Sequence, residues 1–182
     1  MRSLTILISS LLVCFIIFFG HALAEVNIPI KLDAEFYQLS PHAQQEVECL
    51  AHNIYFEAKS EPLEGQIAVA FVTLNRVKSG KYVNSICGVV KQKTGGVCQF
   101  SWWCEARQNN ISRRKLLTTE NDPVYNEVMN VALNFYLNNE TMYDPTKGAL
   151  FYHADYVKPG WKNMHRTAYI GRHIFYNRVR IS

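Results

Sequence analysis

One carboxylate, Glu57, stands where two predicted helices meet in the stretch ECLAHNIYFEAKSEPLEGQIAVAFVTLNRV, residues 48 to 77. On a helical projection Val47, Leu50, Ala51, Ile54 and Ala58 share one face at the spacing of a core-facing stripe. Glu57 falls at the edge of that stripe, beside Leu50, half in the core. Desolvation disfavours the charged form and raises a carboxyl pKa, so a Glu in this position holds its proton near neutral pH and can deliver it to a leaving-group oxygen. The competing reading is a solvated helix-end glutamate with no chemical role, which is what most glutamates are. Other candidates lie further along the chain. Gln99, Phe100, Ser101, Trp102 and Trp103 form an aromatic, strand-like run that could line a cleft, and Tyr152 with His153 sits in a second such run. Flat aromatic faces suit the apolar faces of sugar rings, while Gln and Ser can bond N-acetyl groups. Asn75 and Arg76, at the exit of the second helix, either tie helix ends together or touch a ligand. Trp161, Gly171 and His173 read as scaffold.

The elements that must carry these residues follow from caps and periods. Ser40 then Pro41 predicts a helix start, with Pro in the first turn where its missing N–H costs nothing, and the helix runs to Ala58. After a break at Lys59, Ser60 and Glu61, Pro62 opens a second helix that is apolar almost all round from Ile67 to Leu74, and so is expected to be the buried central one. Ser79 to Trp103 is rich in turns and ends in the strand-like VCQFSWW. A polar loop is expected from Glu105 to Asn121. Asp122 and Pro123 then cap a third helix, with Val124, Val128, Val131 and Phe135 on one face, that ends near Asn138 and Asn139. The tail reads as short strands, ALFYHADYV and AYIGRHIFY, around a Pro159–Gly160 turn.

The first 24 residues have a basic start at Arg2, an apolar run from Leu4 to Phe19, and Ala22 and Ala24 placed as an A-x-A cleavage signal. They are expected to be a secretory signal peptide, the alternative being an uncleaved N-terminal anchor; Cys14, preceded by Val13, is a poor lipoprotein cysteine. Residues 25 to 182 then form one domain, long enough to bury a core. The whole chain carries a net charge of +4, and without Arg2 it has 18 Lys and Arg against 15 Asp and Glu, a net +3. This mild balance excludes a nucleic-acid binder, and Arg113, Arg114 and Lys115 are the one basic run. Four cysteines follow the signal, Cys49, Cys87, Cys98 and Cys104, an even number in an exported chain, so two disulfides are expected with three possible connectivities. Pairing Cys87 with Cys98 would staple the Thr94, Gly95, Gly96 turn and leave Cys49 for Cys104. The spacings lack the short pairs of a structural zinc site, and no His-Glu-x-x-His pattern is present, so no metal or cofactor is expected.

The segment from Cys49 to Val77, then ICGVV, CQFSW, and the tail GALFYHADYVKPGW with IGRHIF, resemble the SleB/CwlJ cell-wall hydrolase family in the same order along the chain. The resemblance implies an α+β, lysozyme-like fold, mainly helical with a small β-hairpin or sheet region. It implies cleavage of peptidoglycan glycan strands, as a lytic transglycosylase in characterised relatives, with the family's catalytic glutamate falling on Glu57. This sequence has Lys59 and Ser60 after Ala58, where many relatives carry Arg and Gly. Hydrolysis of a glycosidic bond usually takes two carboxylates, and no second one is clearly placed here: Glu61 lies beyond the helix break, while Glu64, Glu105, Asp144 and Asp155 read as surface or capping residues. A lytic transglycosylase can work with one. The expected partner is thus the glycan strand itself, met by a monomer in the periplasm or outside the cell, with no nucleic acid and no membrane insertion after signal cleavage. A hydrolytic muramidase, a zinc amidase built on His153, Asp155, His165 or His173, a cysteine peptidase built on Cys49, and a non-catalytic envelope-binding module are the alternatives.

Overall fold

The computed structural model describes residues 32–108, 119 and 121–179. The predicted signal segment and the Arg113–Lys115 run lie outside them. Helix α1, Leu32–Gln38, precedes α2, Pro41–Ala58, whose N-cap Ser40 accepts from the Ala43 N–H at 3.2 Å, with Pro41 in the first turn. Helix α3, Leu63–Lys78, follows Pro62 at its N-cap. The stripe read from the sequence is the buried one: Val47, Leu50, Ala51, Ile54 and Ala58 are all in the core, as are Val69, Ala70, Phe71 and Val72 of α3. Helix α3 is therefore central. One flank packs with α2 and the last long helix, and its Ala68 and Val72 meet Ala149, Ile170 and Phe175 beneath the sheet.

That sheet is antiparallel, in the order β3 (Phe151–Ala154), β5 (His173–Arg178), β4 (Met164–Ile170), with Phe151 opposite Tyr176 and Ala154 opposite His173. The run AYIGRHIFY is thus a hairpin, β4 into β5. Gly171 turns it at a positive φ of 56°, and a side chain there would collide with the Glu61 carboxylate. Glu61 accepts the Arg172 N–H at 2.7 Å, so it serves as the cap of this turn. Among the described residues no helix is long and apolar enough to cross a membrane.

The α+β expectation is met, mainly helical with a small sheet, but three local readings are corrected. Within the turn-rich stretch lies a short helix α4, Ile86–Lys91, whose N-cap Ser85 accepts from Gly88 N–H at 3.0 Å. The buried Glu46 of α2 accepts from the backbone N–H groups of Ile86 at 2.6 Å and Cys87 at 3.3 Å, docking α4 on α2. Strand character in VCQFSWW is confined to Val97–Cys98 (β2), paired with Lys93–Thr94 (β1) through Gly95 and Gly96 at positive φ; Ser101 then opens helix α5, Ser101–Gln108. The last long helix, α6, spans Pro123–Asn138, with Asp122 as N-cap accepting from Val124 N–H at 3.0 Å. It buries Tyr125, Val128, Met129, Ala132, Leu133 and Phe135, while Val124 is turned to solvent in the first turn.

Those corrections decide the disulfides. Cys49 pairs with Cys87 and Cys98 with Cys104, at Cα separations of 5.2 and 5.8 Å, in place of the expected Cys87–Cys98 and Cys49–Cys104. Helix α4 lies on α2, which sets Cys87 against Cys49. The strand-to-helix turn after Cys98 brings Cys104 back to it. Each bridge is worth roughly 2–4 kcal/mol, chiefly by restricting the unfolded chain, with the longer 38-residue separation gaining more than the 6-residue one. Tryptic mapping without reduction separates the two connectivities. Cys98 and Cys104 lie in one peptide, 94–107, which should appear lighter by two hydrogens, while peptide 82–91 should be linked to peptide 32–59. A species joining 82–91 to 94–107 would restore the other pairing.

Candidate active site

The last turn of α2 is held on three sides. Asn53, fully buried, donates to Thr73 Oγ1 at 3.1 Å and accepts from Trp102 Nε1 at 3.0 Å, tying α2 to α3 and α5. Tyr55 donates to the Asp122 carboxylate at 2.5 Å and accepts from Lys59 Nζ at 3.0 Å, which ties the same turn to the start of α6. Phe56 stacks on Trp102 with ring centroids 4.7 Å apart. Glu57, the next residue, is thereby aimed where α3, α5 and the sheet converge, half-buried.

Its carboxylate meets Tyr152 of β3, whose hydroxyl donates to Oε2 at 2.9 Å. Burial pushes the Glu57 carboxyl above its ordinary value; the Tyr152 hydrogen bond and the Arg76 charge pull the other way, and the Glu105 charge adds to the rise. Burial and the neighbouring carboxylate hold the Tyr152 phenol well above its usual range, so it stays a proton donor in this bond. Tyr152 in turn packs on His173 and Phe175, at 5.1 and 5.7 Å between centroids.

Arg76 is a buried cation, 5% exposed. Its Nε donates to Leu150 O at 2.9 Å, and its guanidinium lies 4.9 Å from the Phe100 ring centre and 5.4 Å from that of Tyr82. Burial pulls its pKa down, opposed by Tyr152, Tyr82 and Glu57, but an arginine remains charged at any working pH. Its Nη1 has no hydrogen-bond partner among the described residues. The Glu57 carboxyl thus sits between apolar surface that favours its neutral form and one fixed positive charge that favours its anion. That is a group able to give up a proton and take one back.

The predicted site residues divide. Tyr152 and Trp102 are brought to the Glu57 turn, one as hydrogen-bond donor and one as the floor beneath Phe56. Gln99 lines a groove of about 1210 Å³ beside the site, together with Tyr82, Leu150 and Phe151. Phe100, at 2% exposure, is core beneath Arg76 and offers no face to a sugar. Ser101 and Trp103 stand on helix α5 rather than on a strand, Ser101 exposed and Trp103 half-buried 5.6 Å under Lys91 Nζ. His153 points away from Tyr152 along the alternating strand, stacked on Tyr176 at 5.2 Å with Nε2 at 3.2 Å from its hydroxyl. Asn75 donates to Asp144 at 2.9 Å and to Ala149 O at 3.3 Å, so it ties α3 to the chain entering the sheet. Arg76, read as a helix tie or a ligand contact, and Glu105, read as a surface or capping residue, both act on the Glu57 carboxyl. No local signal marks Glu105, because the helix that presents it reads as strand and loop.

The Cell Wall Hydrolase family matches residues 60–176, and the chain belongs to that family. The match begins three residues beyond Glu57 and takes in Arg76, Glu105 and Tyr152. The chain is similar to a spore cortex-lytic enzyme of Oceanobacillus iheyensis, 29% identical over 138 residues that cover 74% of this chain and 42% of the relative. It is similar also to one from Bacillus subtilis, 27% identical over 135 residues, 73% of this chain and 38% of that one. It spans about two-fifths of the length of these curated relatives. Among solved structures it is similar to the catalytic domain of the germination-specific lytic transglycosylase SleB from Bacillus anthracis, with 26% identity and a TM-score of 0.51 over 74% of this chain and 95% of that one. The catalytic domain of the Bacillus cereus SleB protein gives a TM-score of 0.50, also at 26% identity, over 74% and 91%.

The Glu57 environment has a measurable consequence for stability. A carboxyl whose native pKa is raised binds its proton more tightly folded than unfolded, so it costs nothing below the ordinary value of 4.5, where both states are protonated. As pH rises through that value the unfolded chain ionises first and the native state loses stability, until the native carboxyl also ionises. Glu57→Gln should therefore match the wild type in urea denaturation at about pH 4 and exceed it at about pH 7. A Gln variant less stable at neutral pH would show that the carboxylate is favourably solvated.

Proposed function

We propose that this protein cleaves the glycan strand of peptidoglycan between N-acetylmuramic acid and N-acetylglucosamine as a lytic transglycosylase, with Glu57 as general acid and then general base. The observation that carries the reading is the half-buried Glu57 carboxyl, its pKa raised by burial, with Tyr152 bonded to one oxygen and the Arg76 cation nearby. In the first step Glu57 gives its proton to the glycosidic oxygen as the bond from muramic acid C1 to that oxygen breaks. The Arg76 charge and the Tyr152 hydroxyl stabilise the carboxylate left behind. The substrate's own N-acetyl group supports the developing positive charge at C1, which dispenses with a protein nucleophile. Glu57 then takes the proton of the C6 hydroxyl as that oxygen bonds to C1, closing a 1,6-anhydro ring, and no water is consumed. The proton ends on the departing sugar and Glu57 is restored.

Several other carboxylates are engaged in the fold: Glu46 docks α4, Glu61 caps the β4–β5 turn, Asp122 caps α6, and Asp144 holds Asn75 and the backbone N–H groups of Thr146 and Gly148. Glu105 differs. It stands exposed on α5, close enough for its charge to act on Glu57, and this favours a second reading in which it activates a water and the product is hydrolytic. We also propose that residues 1–24 direct export and that the monomer acts at the cell wall, periplasmic or released. Two disulfides among the described residues suit an oxidising compartment.

Digestion of purified peptidoglycan, followed by mass spectrometry of the products, tests both readings. Glu57→Gln should lower cleavage by roughly 100-fold to 10,000-fold, the range of acid–base catalysis, while Glu61→Gln and Glu64→Gln keep most of it. Anhydromuramic ends and an active Glu105→Gln variant are the expected results. Reducing muramic ends together with an inactive Glu105→Gln would establish the hydrolase, and full activity in Glu57→Gln would end the assignment. Tyr152→Phe removes a bond that lowers the Glu57 pKa, so the alkaline limb of the pH–rate profile should move upward; an unmoved limb would mean that Tyr152 does not act on the acid.

A further inference from the structure

The groove beside Glu57 has a charge that the glycan backbone does not call for. Lys78, Lys81, Arg178 and His165 line it, and among the described residues no Asp or Glu does. None of Lys78, Lys81 and Arg178 forms an ion pair with another described residue, and Arg178 rests over the Phe151 ring at 5.7 Å. In a chain whose net charge is only +4 over 182 residues, gathering these side chains on one concave surface is a local excess, opposed by the Asp144 carboxyl bonded to Asn75 and the Gly148 N–H of its wall. Such a cleft focuses potential and draws anions. The sugars themselves offer it little: the muramic lactyl group is an uncharged amide where a stem is attached and a single carboxylate where the stem is gone, whereas the stem presents several carboxylates.

The groove is also placed and sized for a substituent of the substrate. Leu150 lies on its wall and receives the Arg76 hydrogen bond, and Tyr152, two residues further along the chain, holds Glu57. At the rise of an extended strand that separation is roughly 7 Å, which sets one wall of the groove within a disaccharide's length of the residue that holds Glu57. The volume of about 1210 Å³ exceeds the usual 300–1,000 Å³ of a small-ligand pocket. Gln99, also on the wall, offers an amide that can pair with peptide N–H and C=O groups.

We propose that this groove binds the acidic peptide stem carried on the lactyl group of muramic acid, so that the protein selects peptide-bearing glycan over glycan stripped of its stems. The selection rests on the glycan-cleavage reading for its biological sense, but it can be measured without cleavage.

The test uses the Glu57→Gln protein, which holds strands without turning them over, and two soluble probes: uncrosslinked glycan strands bearing their stems, and the same strands after an amidase has removed them and left one lactyl carboxylate on each muramic acid. Stem-bearing strands should bind at least tenfold more tightly at about 0.05 M salt, and the ratio should fall toward one at about 0.5 M, where screening is strong. The ratio should also collapse in a Lys78→Gln, Lys81→Gln, Arg178→Gln triple variant, and fall partway in the single exposed charge reversal Lys81→Glu, which guards against a triple variant that does not fold. Equal binding of the two probes overturns the proposal. So does discrimination that survives the charge changes, or competition by heparin as strong as that by stem-bearing strands at equal charge, which would mark a non-selective basic patch. Failure of the wild type to cleave any strand would instead sink the transglycosylase reading and leave the binding difference standing.

Discussion

The hydrogen bond from Tyr152 to Glu57 joins the two parts of this molecule, and the other features of the site follow from it. Glu57 ends a helix and Tyr152 lies 95 residues later on a strand. A carboxyl half removed from water requires a partner, since an unmet buried charge costs several kcal/mol while a hydrogen bond to it offsets part of that. The sheet must therefore close over the end of α2, and it does so through Ala68 and Val72 of α3, packed against Ala149, Ile170 and Phe175. Apolar burial supplies the free energy for that closure. The polar contact fixes its register, because a slip of one residue on β3 would turn Tyr152 to the opposite face.

Arg76 is the second constraint, and it is an expensive one. A guanidinium in the core loses hydration that one hydrogen bond to Leu150 O and two aromatic faces only partly restore. Removing the charge would relieve that strain but would leave the Tyr152 hydrogen bond alone to favour the ionised form of Glu57 against burial and the Glu105 charge. The pair is therefore best understood together: a cation retained in the core keeps the ionised carboxylate accessible, and the apolar surroundings keep the protonated form accessible. A proton donor that must also become an acceptor needs both states within reach.

Around this pair the chain is pinned by links between segments that are distant in sequence. Asn53 connects α2, α3 and α5; Tyr55 connects α2 to the cap of α6; Glu46 and the Cys49–Cys87 bridge connect α2 to α4. Each begins on α2, so the helix that carries the acid is tethered at several points along its length. A group that must meet its substrate within a few tenths of an ångström benefits from such a rigid base.

Much of this was legible in the sequence. The bounds of α2, the burial of its stripe, the central position of α3, the Asp122 cap and the placing of Glu57 at the edge of the core all follow from caps and from the 3.6-residue period, which are local properties of the chain. The family pattern supplied the α+β class. Tertiary structure alone decided the rest. VCQFSWW carries the aromatic composition of a strand, yet Trp102 gains more as a helical residue that stacks on Phe56 and reaches Asn53, and that packing overrides propensity. The same turn sends Cys98 to Cys104, and docking of an unforeseen short helix sends Cys87 to Cys49. Which residues surround Glu57, namely Tyr152, Arg76 and Glu105, depends on how three elements meet in space. Spacing along the chain carries no record of that, because the energy that selects it lies in contacts between residues far apart in sequence.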